Sequence, residues 1–173
     1  MSFPVRWALA ALGFPLGGLL AVLVAGSADG PRPAGAGGAL AGGVIGGFQW
    51  WALRPHEVPT AWIALSAAGL GGGSALGVQL TGGAPTASAL AVLGMVAGAV
   101  LGAAQAIVLP VGRLRAAWPG VVALAWSLAW PVTAAVITDE DRGYVVPGAS
   151  GAIVATLVTG LFLVLARLPE PAV

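Results

Sequence analysis

The sequence predicts an all-α fold: a polytopic membrane bundle of six transmembrane helices, built from three tandem two-helix parallel repeats. Three observations lead there. The first concerns solvent. Of 173 residues, 58% are hydrophobic and only 8% are charged, with a mean hydropathy of +0.97. Soluble domains carry about 25% charged residues, so this exterior is matched to lipid rather than water. The second is length. Six apolar stretches can be drawn, each near the ~20 residues that a helix needs to cross ~30 Å of hydrocarbon. The third is a period. Gly38, Gly42, Gly46 and Gln49 recur 56 positions later as Gly94, Gly98, Gly102 and Gln105, and Leu53 recurs as Leu109.

The first stretch, 4–26, opens with Arg6 and Trp7 and carries Pro15, which is expected to kink it. It has some look of a cleavable signal, but its apolar run exceeds the ~7–15 residues of a signal core, so it is read as a retained span. Turn residues at 27–33 lead to the second stretch, 34–54. Arg54, Pro55, His56 and Glu57 separate it from the third, 58–80. Gly82, Gly83 and Pro85 precede the fourth, 86–110. Pro110 and Gly112 precede the fifth, 116–138, in which Pro131 marks another expected kink. An acidic loop, Asp139-Glu140-Asp141, leads to the sixth, 146–167. The loops are short, so consecutive helices should be antiparallel neighbours within a single transmembrane domain, 1–173.

The period divides the chain into copies at about 1–56, 57–112 and 113–173. Trp7, Trp62 and Trp118 keep the same spacing. The third copy is degenerate: Gly148, Ala152, Thr156 and Thr159 stand in the register of the glycines and glutamine, with Leu163 after them. Each copy holds an even number of spans. The copies are therefore parallel, related by an axis along the membrane normal, with approximate threefold symmetry if they close.

Orientation follows from arginine, since all seven basic residues are arginines. With the amino terminus inside, Arg6, Arg54, Arg113, Arg115 and Arg167 are cytoplasmic, against Arg32 and Arg142 outside. Both termini are expected in the cytoplasm and the chain in the bacterial inner membrane.

The small-residue faces Gly38, Gly42, Gly46 and Gly94, Gly98, Gly102 let neighbouring backbones approach closely. A flat lipid or pigment ring is the other occupant such a face could take; helix packing is the preferred account. Gly69, Gly73 and Gly77 form a similar stripe. Gln49, Gln105 and, by register, Thr159 form a candidate polar ring. They would either line a pathway or head-group site, or fix helices through interhelical hydrogen bonds of ~0.6–2 kcal/mol each. Trp7, Trp50, Trp51, Trp62 and Trp118 fall at inner span ends and are read as interfacial anchors. Trp126 and Trp130 share one face of the fifth helix.

Several function classes are disfavoured. There is no cysteine, which excludes thiol and iron–sulfur chemistry. No ionisable residue falls in mid-span, where pumps and proton relays place them. The single histidine, His56, stands beside Glu57 without the spacing of a zinc motif. No catalytic residue, metal site or cofactor is expected, and a net charge of +1 gives no reason to expect nucleic acid.

The run Gly43-Val44-Ile45-Gly46-Gly47-Phe48-Gln49-Trp50-Trp51-Ala52-Leu53-Arg54, followed by Ala61-Trp62-Ile63, resembles a repeat of uncharacterised small multi-pass bacterial membrane proteins. In those, a glycine-rich helix ends in Gly-x-x-Gln-Trp-x-x-Leu-Arg and a Trp-led helix follows. The second copy lacks the Trp after Gln105, and the third lacks the Gln. The resemblance implies a helix-hairpin architecture and brings no activity, substrate or cofactor. The expected function is therefore non-catalytic: an accessory or scaffold subunit, or a lipid- or pigment-contacting protein. Its partners would be membrane lipid and a larger membrane complex. The alternative is a small permease or channel using Gln49, Gln105 and Thr159.

Overall fold

The computed structural model describes residues 1–110, 112–136 and 149–166. Gly148, the acidic loop with Arg142, and Arg167 lie outside the described residues, so the expectations placed on them are left there. All regular structure among the described residues is helical: α1 (Phe3–Ala10), α2 (Gly13–Ala25), α3 (Pro31–Leu53), α4 (Ala61–Thr81), α5 (Ala87–Ala106), α6 (Arg113–Val136) and α7 (Ala149–Leu165), with a 3-10 turn at Arg54–His56. α1 and α2 form one interrupted rod, so these helices make six rods. Three rods are long and apolar enough to cross a membrane: Phe3–Ala25, Ala61–Thr81 and Ala87–Ala106. α3 and α6 are as long, at 23 and 24 residues, but glycines, prolines and arginines dilute their apolarity. The described part of α7 is 17 residues.

The element ends follow from local chemistry. The break at Ala11–Leu12 stands four residues before Pro15. Proline lacks the amide proton, and its ring opposes the carbonyl four residues back, here that of Ala11. The backbone tightens there, with Leu12 N–H donating to Leu9 O at 3.1 Å and Phe14 N–H to Ala11 O at 3.1 Å. α3 starts at Pro31, three residues earlier than expected, because proline at a first helical position sacrifices no hydrogen bond. α4 stops at Gly82, whose φ of 64° is the left-handed conformation that closes helices. The Thr86 hydroxyl accepts from Ala89 N–H at 3.3 Å and caps α5. α5 ends at Ala106, four before Pro110, for the reason given for Pro15. α6, by contrast, runs on through Pro119 and Pro131.

Helices adjacent in sequence pack on one another, and α7 returns to α1 and α2 to close the ring. The contacts run in opposite senses along paired helices. A carbon added at Gly38 would meet Ser74 Oγ at 2.7 Å, and one at Gly46 would meet Ser66 Cβ at 2.6 Å. The α3–α4 pair is therefore antiparallel. The same register recurs between α5 and α6, where Gly98 faces Val122 O at 2.6 Å and Gly102 faces Pro119 Cα at 2.8 Å. Each of these partners lies 56 positions beyond a partner on the first seam: Gly42 and Gly46 face Ser66 and Ile63, and Gly98 and Gly102 face Val122 and Pro119.

A second kind of seam joins α2 to α3 and α4 to α5. Gly17 abuts Ala41 Cα at 3.1 Å, and Gly73, 56 positions later, abuts Ala97 Cα at 2.8 Å. Inside these seams lies a core that includes Leu53, Leu101, Leu109 and Leu163. Phe14 of α2 reaches Trp126 of α6 across the interior, with ring centroids 5.8 Å apart. Outward faces are apolar: Leu23 is 73% exposed and Leu157 is 66% exposed. Water would penalise such a surface by about 25 cal/mol per Å², whereas hydrocarbon does not.

Candidate functional site

Gln105 is the hub of the interior. It lies on the last turn of α5 and is 1% exposed. Its Nε2 donates to Gln49 Oε1 on α3 at 3.1 Å and to Ser66 Oγ on α4 at 2.9 Å. Its Oε1 accepts from the Trp118 indole of α6 at 2.9 Å. One amide thus ties four helices. A buried amide left unpaired costs several kcal/mol, so these ties are strongly directed. Trp62 and Phe162 flank Trp118, each with a ring centroid 6.1 Å from it, and shield the amide with aromatic carbon.

Thr159, the third expected ring member, is placed elsewhere. Its hydroxyl donates to Ala155 O at 2.6 Å and accepts from the Trp7 indole at 3.3 Å. Trp7 also donates to Thr156 O at 3.1 Å. Among the described residues no hydrogen bond joins Thr159 to either glutamine. The structure therefore brings Gln49 and Gln105 together and sets Thr159 in a separate tie that closes α7 on α1.

Trp7, Trp62 and Trp118, expected as interfacial anchors, are 3%, 0% and 1% exposed. They are core residues rather than a girdle: each sits on the inward side of an opening turn whose other side is exposed, and close glycine contacts seal it, Gly160 against the Trp7 ring and Gly102 against the Trp118 carbonyl. Trp118 and Trp7 spend their N–H groups on the residues of the expected ring. Trp62 Nε1 is buried with no hydrogen-bond partner. Trp50 and Trp51 are half-buried, and Trp50 Nε1 donates to Val58 O at 3.1 Å.

Sequence reading missed Ser66 as the hydroxyl partner of Gln105. It also missed Gly13 and Gly17, the counterparts of Gly69 and Gly73 one period earlier; the same 56-residue offset was the available signal. His56 lies against Phe3, ring centroids 5.3 Å apart and nearly perpendicular. Among the described residues, no three His, Asp or Glu side chains gather as metal ligands would. The chemistry the Gln105 cluster offers is hydrogen bonding alone, since amides, hydroxyls and indoles neither take nor give up a proton near neutral pH. No protein family, no curated protein and no solved structure matches the chain.

Proposed function

We propose that this chain is a non-catalytic integral membrane protein of the inner membrane, an accessory or scaffold subunit that packs against lipid and a larger membrane assembly. In this reading all six rods span the bilayer, three tandem two-helix hairpins make up the bundle, and both termini are cytoplasmic. The single observation that carries it is the use made of the interior polar groups. Gln105, Gln49, Ser66 and Trp118 are directed at one another, so they lock helices instead of lining a shared lumen. The recurrence of both seams at an offset of 56 supports the hairpin repeat, and the resemblance to small multi-pass bacterial proteins supports the same architecture.

Reconstitution into liposomes tests this against the permease alternative. The expected outcome is no solute or ion flux above that of empty vesicles, together with a protein or lipid partner retained in mild detergent. A flux that disappears in Gln105→Leu while the variant stays folded would overturn the reading and install the glutamines as a pathway.

A further inference from the structure

An apolar groove of about 540 Å³ runs along the outside of α3 where the α1–α2 rod is interrupted. Such a volume falls within the ~300–1,000 Å³ of small-molecule sites. Leu9 and Leu12 of the rod line one side, and α3 lines the other with Gly43, Val44, Gly47, Phe48 and Trp51, where the side-chain-free Gly43 and Gly47 make the floor. The floor sets this groove apart from the seams. α3 carries two glycine faces. Carbons added at Gly38, Gly42 and Gly46 would collide with α4, so those glycines are explained by packing. A carbon at Gly43 would touch only Ala67 Cβ at 3.9 Å, and one at Gly47 would meet nothing within 4 Å. Glycine inside a helix costs about 1 kcal/mol relative to alanine, and packing within the chain returns nothing for that cost here. The positions 56 later are Ala99 and Ala103, so the second copy does without this floor. Gly72 and Gly120 are also uncrowded, but neither lines this groove.

One end of the groove is cationic. The Arg6 guanidinium lies over the Trp51 ring, 4.9 Å from its centroid, and donates through Nη2 to the Trp51 carbonyl. Its Nε is buried with no hydrogen-bond partner. Arg54, three residues beyond Trp51, adds a second arginine at this end of α3. A guanidinium with an unspent donor at the end of an apolar trough suits an anion whose body is hydrocarbon.

We propose that this groove holds one acyl chain of an acidic glycerophospholipid, with the lipid phosphate between Arg6 and Arg54. This rests on the membrane reading above and names the lipid. From Trp51 to Gly43 the floor runs about 12 Å by helical rise, enough for a good part of a chain. In hydrocarbon any chain can fill the trough, so the head group sets the choice of lipid. An arginine near an anionic surface contributes about 1 kcal/mol.

The test is native mass spectrometry of the full chain in neutral detergent, titrated with phosphatidylglycerol or with phosphatidylcholine of the same chains. Wild type should retain phosphatidylglycerol in preference. Arg6→Gln should weaken that retention about fivefold, as expected for one lost charge. Gly47→Leu, which fills the floor without touching charge, should weaken it several-fold by taking the space and van der Waals contacts of the bound chain. Ala103→Leu, an exposed site off the groove, should leave retention unchanged. Equal retention of the two lipids by wild type, or undiminished phosphatidylglycerol in a folded Gly47→Leu, would overturn the proposal. Gly47→Leu carries the test alone should Arg6→Gln fail to fold. Either result leaves the scaffold reading standing, since that reading is decided by flux and partner retention.

Discussion

At the scale of single residues, three indoles in matching sequence positions meet different fates. Trp118 donates to Gln105 Oε1, Trp7 to Thr156 O and Thr159 Oγ1, and Trp62 Nε1 to nothing. Phenylalanine keeps most of the ring and removes only the donor. Trp118→Phe strips Gln105 Oε1 of its indole donor and should cost about 1–3 kcal/mol, whereas Trp62→Phe removes an already unpaired donor and should cost clearly less. Thermal unfolding in detergent, followed by far-UV circular dichroism, compares the two. The glutamines are unequal in the same way. Gln105 makes three interhelical bonds, and Gln49 enters the cluster through one of them. At roughly 0.6–1.7 kcal/mol per bond in a bilayer, Gln105→Leu should destabilise by about 2 kcal/mol or more and Gln49→Leu by about 1. The double variant should fall short of their sum, because the two side chains share one bond.

At the scale of helices, glycine has two opposite uses on α3. Gly46→Ala pushes a carbon against Ser66 Cβ, and on α5 Gly98→Ala pushes one against Val122 O; each is expected to cost about 1–3 kcal/mol through overpacking. Gly47→Ala meets open space and should instead stabilise by up to about 1 kcal/mol through helix propensity. A melting series over the three variants reads the sign directly, and a destabilised Gly47→Ala would mean that this face is packed after all. The helices and most of their ends were legible, because apolar length and proline chemistry are local. The interruption before Pro15 was foreseeable for the same reason. The fate of the tryptophans was not. An indole opening a span reads as an anchor, and its burial depends on how closely the next helix approaches. That approach is set by glycines on other helices: Gly46 stands 16 positions before Trp62, Gly102 16 before Trp118, and Gly160 153 after Trp7. The period that Gly46 and Gly102 share with Gln49 and Gln105 was the one available hint. Ser66 carried none, since a hydroxyl's partner across a seam follows from register between helices rather than from spacing along one.

At the scale of the whole molecule, seams that recur at a fixed offset make the bundle a ring of alternating rods. α7 closes the ring on α1 through Trp7 and Thr159. The proposed topology assigns every loop a side of the membrane, so labelling around α3 and α4 reads whether that pair crosses and in which sense. The chain has no cysteine, and single cysteines can be placed without background. Ala28, Thr60 and Ala87 are exposed and stand respectively between α2 and α3, before α4, and at the start of α5. The proposed topology, read from the arginines, has Ala28 and Ala87 outside and Thr60 inside. In intact cells an impermeant maleimide should label Ala28→Cys and Ala87→Cys promptly, and Thr60→Cys only after permeabilisation. The opposite pattern would keep the spans and invert the protein. If Ala28→Cys and Ala87→Cys label from different sides, one of α3 and α4 fails to cross. The six-span ring falls with that result, because α3 packs along α4 as an antiparallel pair and the two can only cross together.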